Sequence, residues 1–296
     1  MFFIFAKAFS ESNFLQFMRF NLFTIFRPVN FLITFISGFL AVLLAEGGDF
    51  TRATLYFGVL IGSSAALIGS GGNIINDILD QKTDKINRPG RALPSGQLTS
   101  KTAMRLYIFC KFSGVLLASI AGIIPAIIAG VTSFALFFYS YKLKNIPLVG
   151  NLVVALLTGL VFIFGASAVN NYGNALFPFI FSFLINLIRE IVKDIEDVPG
   201  DSKTGITTFP VVFGVPLSKK LLTLLILSLI VATFIPFVLQ IYKIEYLIII
   251  TLSVNPVLVL SMKSLSKAKK QSDYSAISTN LKFIMFLGIF AILLGL

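Results

Sequence analysis

Along the 296 residues, stretches of about 20 almost uninterrupted apolar side chains recur, separated by short polar connections. A hydrocarbon layer roughly 30 Å thick demands runs of that length, and a soluble core of this size cannot absorb so many. Spans are expected at roughly 22–46, 53–80, 103–121, 123–141, 147–168, 174–197, 217–240, 245–263 and 276–296. The fold class is therefore all-α: a polytopic membrane protein with about nine transmembrane helices. Composition agrees, with 56% hydrophobic and only 12% charged residues.

The formal net charge of +11 fits basic connections in a membrane protein better than nucleic-acid binding. With about nine spans, Arg52 and Lys243 are the only basic residues in loops on one side. Lys82, Lys85, Arg88, Arg91, Lys101, Lys142, Lys144, Lys203, Lys219, Lys220, Lys267, Lys269 and Lys270 fall on the other. That second side is expected to be cytoplasmic, together with the N-terminus. Residues 1–20, carrying Lys7 and Arg19, lack a small-residue cleavage pattern and are expected to form an interfacial segment. Residues 21–296 form one transmembrane domain. The single Cys110 lies in an apolar span and there is no histidine, so zinc sites and Cys/His nucleophile pairs are excluded.

Two stretches break the apolar pattern with acids. Asn73, Asn76, Asp77, Asp80 and Asp84 fall at i, i+3, i+4, i+7 and i+11, one stripe of a helix. Glu190, Asp194, Asp197 and Asp201 repeat the spacing, with Asn73 falling on Glu190 and Asp84 on Asp201. The match points to two pseudo-repeated helical halves whose acids face each other across a cavity. Carboxylates on one face repel, and carboxylates in membrane segments tend to face wet, functional cavities. Oxygen donors without His or thiolate suit a hard cation such as Mg2+, which binds through one or two carboxylates plus substrate phosphate. Each stripe is followed by a basic loop. The first holds Lys85, Arg88 and Arg91 with Pro89 and Pro94; the second reads Ser202-Lys203-Thr204-Gly205. Acid stripe and basic loop, twice, read as two metal-diphosphate half-sites sharing one anion.

With these motifs in hand, the chain resembles the UbiA superfamily of intramembrane prenyltransferases. The NDxxDxxxD motif matches Asn76, Asp77, Asp80 and Asp84, followed by the RPxRxLPSG-type loop at 88–96. DxxxD matches Asp197 and Asp201, preceded by Asp194. Arg27-Pro28-Val29-Asn30 and Tyr139-Ser140-Tyr141-Lys142-Leu143-Lys144, with Gly150-Asn151 beyond, are also family-like. The resemblance implies nine helices around a central cavity, Mg2+ dependence, and transfer of a polyprenyl group from its diphosphate to a lipophilic acceptor drawn from the bilayer. It implies Asp77, Asp80, Asp84, Asp194, Asp197 and Asp201 as catalytic acids. Of two Mg2+ ions bridging the diphosphate, one falls to Asn76, Asp80 and Asp84 and the other to Asp197 and Asp201. Arg88, Arg91, Lys203 and Lys142 are expected on the diphosphate. Arg27, Asn30, Asn73, Tyr139, Asn151, Arg189, Glu190 and Lys193 complete the substrate-binding set.

The second motif, Arg189 to Asp201, is similar to that of the subgroup joining geranylgeranyl diphosphate to geranylgeranylglyceryl phosphate in ether-lipid biosynthesis. Members that prenylate aromatic quinone, tocopherol or chlorophyll precursors carry related motifs and form the alternative. A phosphate-bearing acceptor would want extra cations, and Arg189 and Lys193 are available. A base near its hydroxyl could be Asp77, Glu190 or Asp194. A cation-coupled transporter is the remote alternative, although the stripes end beside rigid basic loops instead of at the membrane midplane. Nothing points to nucleic acid.

Overall fold

The computed structural model describes residues 24–296; the expected interfacial segment 1–20 lies outside the described residues. The described chain is helical throughout. Its long helices are α1 (Pro28–Ala45), α2 (Arg52–Leu79), α4 (Ser100–Ala121), α5 (Ile123–Tyr141), α6 (Val149–Val169), α7 (Leu176–Thr204), α9 (Val215–Val238) and α12 (Gln271–Gly295). Two short helices, α3 (Gln81–Asn87) and α8 (Phe209–Phe213), follow α2 and α7, and α10 (Ile244–Ile249) and α11 (Asn255–Lys267) are joined end to end. Eight of these bodies, counting Ile244–Lys267 as one, are long and apolar enough to cross a membrane. The ninth, α7, is 29 residues long, and its C-terminal half carries the second acid stripe.

Two span boundaries shift for identifiable reasons, and one span is irregular within. The first spanning helix among the described residues starts at Pro28, because Arg27 adopts a left-handed backbone (φ 51°) and Pro28 opens the helix. The sixth extends past 197 to Thr204, running through Pro199 and ending at Gly205 (φ 75°), so both second-motif aspartates are helical. The eighth contains a π-helical segment, Ile250–Val254, just before Pro256, a common way to absorb a helix irregularity.

Close helix approach rests on small residues, as in membrane bundles generally. A Cβ on Gly62 of α2 would lie 2.7 Å from the Phe35 carbonyl of α1. Outward, α4, α5 and α9 expose Ile108, Phe112, Phe134, Leu224 and Val231, a lipid-facing belt. At one end of the bundle Asn171 donates to the Ala45 carbonyl (2.7 Å) and the Lys243 amide to the Gly295 carbonyl (2.8 Å). The basic connections and both motifs gather at the other.

Candidate functional site

Motif helix α2 stops one residue early. Asp80 leaves helical geometry (φ −92°, ψ 9°) and separates α2 from α3. The hydrogen-bond ladder nevertheless continues across it, from the Asp80 amide to Asn76 O and from the Asp84 amide to Asp80 O, each 2.8 Å. The expected continuous helix is therefore two helices in near register, and the stripe survives.

The acids of this stripe are met by cations. Arg27 donates to Asn73 Oδ1 (3.0 Å) and pairs with Asp77. Those contacts hold Arg27 in a left-handed conformation that side-chain-bearing residues seldom adopt. Arg91 joins Asp77 Oδ1 (3.0 Å) to Asp84 Oδ2 (2.7 Å). Burial holds the Asp84 carboxyl above its ordinary value, against the lowering pull of Arg91. The basic loop does not dangle: Ala92, Leu93 and Leu98 are buried against Ile25, Ile74, Ile75 and Tyr107. Its arginines are aimed by a small apolar plug.

The two motifs meet across this loop. Arg88 Nη2 pairs with Asp197 Oδ2 at 2.9 Å, Asn87 Nδ2 donates to the Asp197 carbonyl at 3.1 Å, and Thr83 and Thr204 hydroxyls lie 3.0 Å apart. Burial works against the Arg88 charge, but Asp197, Glu196 and Asp84 outweigh it and raise its pKa. Gly200 permits the approach, since a Cβ there would sit 2.3 Å from Asn87 Oδ1. Asp201 accepts from Thr208 (3.4 Å) and lies within electrostatic reach of Asp80 and Asp197. Farther along α7, Asp194 accepts from Asn151 (2.7 Å), while Glu190 accepts from Arg189 (3.1 Å) and Lys193 (2.9 Å).

Beneath this polar end opens a cavity of about 730 Å³, within the usual range for ligand sites. Arg27, Asn30, Asn73, Asn76, Arg88, Arg91, Tyr139, Arg189, Glu190 and Lys193 all border it, and Phe162, Phe181, Leu229, Phe286 and Ile292 are among its apolar walls. Six cationic side chains face it, Lys282 being the sixth, against the two acids Glu190 and Glu196.

Two expected diphosphate ligands, Lys142 and Lys203, are instead exposed and enter no ion pair among the described residues. Lys144, two residues beyond Lys142, pairs with Asp80. Within this segment Lys144, and not Lys142, reaches the first motif, because the chain turns through a 3₁₀ segment, Leu143–Asn145, that redirects successive side chains. Lys144→Met is expected to lower prenyl transfer about tenfold or more, the worth of a charge-assisted contact, and Lys142→Met to stay within about twofold, as read by product formation in membranes. Lys282, outside the expected set, also borders the cavity. The signal was present in Ser275, Ser278, Thr279 and Lys282 at i, i+3, i+4 and i+7, leading into Met285 and Ile289, all bordering the cavity.

The donor set can be tested against a hard divalent ion. Among the described residues no cluster of three or more His, Cys, Asp or Glu side chains could hold one by itself. Yet Asn76 Oδ1 and Asp197 Oδ1 are buried without a hydrogen-bond partner, one on each motif. Buried orphan oxygens are costly, and these two fit a cation that takes a few protein oxygens and completes its shell from a phosphate.

A membrane-crossing helical bundle with a greasy chamber beneath paired acidic and basic motifs is that of an intramembrane enzyme acting on a lipid carrying an anionic head. The chain belongs to the UbiA prenyltransferase family, whose model matches residues 31–290, and it is a prenyltransferase. Among its relatives is the digeranylgeranylglyceryl phosphate synthase of Thermococcus sibiricus, 35% identical over 92% of this chain and 95% of that one. The synthase of the same name from Methanopyrus kandleri is 34% identical over 78% and 84%. A solved structure of a digeranylgeranylglyceryl phosphate synthase superposes with a TM-score of 0.73 at 30% identity, covering 96% of this chain and 98% of that one. A UbiA homolog from Archaeoglobus fulgidus bound to GPP and Mg2+ shares the fold, with a TM-score of 0.69 at 18% identity over 90% and 98%.

Proposed function

We propose that this prenyltransferase moves a geranylgeranyl group from its diphosphate to the free hydroxyl of geranylgeranylglyceryl phosphate, with Mg2+, at the cytoplasmic face of the membrane. The observation that carries the proposal is an excess of cations over acids in a second group bordering the cavity: Arg189 and Lys193 share the single acid Glu190 and Lys282 bonds only to the neutral Asn30, apart from the arginines that the motif aspartates engage. A donor diphosphate and an acceptor phosphate together call for such an excess; an aromatic acid, with one negative charge, does not. The names of the relatives point the same way. The basic connections on the motif side support an inward orientation of that side.

The donor's diphosphate lies against Arg27, Arg88 and Arg91, and its chain fills the apolar chamber. Arginine's fixed fork suits bidentate contact with phosphate oxygens. Asn76, Asp80, Asp84, Asp197 and Asp201 would hold Mg2+, which when bound supplies Lewis-acid stabilisation of negative charge on the leaving diphosphate. As the allylic C–O bond breaks, the bond's electron pair leaves with the diphosphate, and Arg88 and Arg91 stabilise that charge. The acceptor hydroxyl oxygen bonds to the allylic carbon and gives up its proton. Of the three carboxylates available as base, Asp77, Glu190 and Asp194, only Glu190 borders the cavity. Glu190 takes the proton.

The test is an acceptor panel. Membranes containing the protein receive labelled geranylgeranyl diphosphate, Mg2+, and either geranylgeranylglyceryl phosphate, 4-hydroxybenzoate or homogentisate. Labelled diether product and released diphosphate are expected with the first only. Prenylated aromatic product alone would overturn the acceptor assignment, and binding without diphosphate release would favour a transporter.

A further inference from the structure

Lys282 has no acid to explain it. It lies eleven residues into α12, about 16 Å along that helix, where an ionisable side chain is costly and normally marks function. Its Nζ donates to the neutral Asn30 Oδ1 of α1 at 3.3 Å. Within its electrostatic reach stand Arg27, Arg189 and Lys193, with Glu190 as the opposing acid. Glu190 is already shared by Arg189 and Lys193, and the buried Nε of Arg189 has no acceptor. A lysine serving only to fix topology would reach outward to headgroups; this one borders the cavity.

The two charged regions of the cavity differ in kind. Around Arg27, Arg88 and Arg91 each guanidinium has a motif carboxylate, Asp77, Asp84 or Asp197, as expected where oxygen donors must also serve a metal. Around Lys282 cations outnumber acids and no motif aspartate is bonded. Such a cluster suits an anion bound directly, without a bridging metal.

We propose that Lys282, with Arg189 and Lys193, forms a second anion subsite that takes the phosphomonoester of the acceptor. This deepens the proposed function and rests on it. A phosphomonoester carries close to two negative charges and three strong acceptor oxygens, matching the surplus cations and the unused Arg189 donor. Asn30 holds the lysine in place, and Ser278 and Thr279 border the cavity one turn away. The subsite makes phosphate recognition separable from donor binding.

The full-length protein in lipid nanodiscs, as wild type, Lys282→Met and Lys282→Arg, would be assayed with geranylgeranylglyceryl phosphate and with its dephosphorylated alcohol. For Lys282→Met we expect acceptor KM to rise about tenfold or more, as for loss of a charge-assisted contact. Donor KM should stay within about twofold, and the preference for the phosphorylated acceptor should fall toward unity. Lys282→Arg should keep most of that preference. Inorganic phosphate should compete with the acceptor in wild type and much less in Lys282→Met. An equal loss with both acceptors, or a rise confined to donor KM, would overturn the subsite while leaving the proposed function standing. Wild-type protein inert toward geranylgeranylglyceryl phosphate but active on an aromatic acid would remove the proposed function first, and the subsite with it.

Discussion

Asp197→Ala is expected to reduce prenyl transfer by about 10²–10³-fold or more while leaving a folded, inserted protein. The carboxylate does two things that alanine cannot. One oxygen fixes Arg88 at 2.9 Å, holding the basic loop of the first motif against the helix of the second. The other is buried with no hydrogen-bond partner and is free for a divalent ion. Losing a single preorganised group that stabilises developing charge costs about 10²–10³-fold in other enzymes, and here the aim of Arg88 is lost as well. The fold should survive, because Thr83 and Thr204 and the Asn87 bond to the Asp197 backbone carbonyl remain. Product formation and diphosphate release, set beside detergent thermal unfolding, make the check. EDTA should silence wild type and excess Mg2+ restore it; Mg2+ should not restore Asp197→Ala. Activity above about a tenth of wild type in this variant would remove Asp197 from the site.

Much of this site is legible in the sequence because helical spacing and membrane cost act together. Acids at i, i+4 and i+7 in an apolar run must share a face and must be compensated, and the chain supplies Arg88 and Arg91 directly afterwards. What periodicity does not contain is the pairing. That Arg91 would span Asp77 and Asp84, and that Arg88 would cross to Asp197, depends on a loop pinned by Leu93 and Leu98 and on the space left by Gly200. Lys142 and Lys144 show the limit most clearly. Both stand in the same short motif, and only the 3₁₀ turn between α5 and α6 decides which reaches Asp80. Lys282 is the opposite case. Its polar stripe was readable, but a lone cation in a span passes for a topology signal until its neighbours are known. Arg27 could be tied to the family motif from sequence, whereas its left-handed backbone could not.

Arg91→Met should both destabilise the protein and nearly abolish turnover. Its guanidinium serves two carboxylates that are 8% and 5% exposed, Asp77 and Asp84. Removing one partner of a buried pair leaves an uncompensated charge and costs about 3–5 kcal/mol; Asp77 retains Arg27, so Asp84 bears most of the loss. The pH dependence follows from that residue. Burial already raises the Asp84 carboxyl, and without Arg91 it rises further. A carboxyl whose folded pKa is raised penalises the folded state at higher pH, and the penalty fades as pH falls through that pKa. The stability gap between Arg91→Met and wild type should therefore be widest near neutral pH and narrow toward pH about 5, measured by thermal unfolding in one detergent across that range. Arg91→Lys should recover part of the stability but little activity, since a single ammonium does not reproduce the planar fork that joins two carboxylates or grips a phosphate. A gap that widens on acidification would show that Asp84 is not the group left stranded.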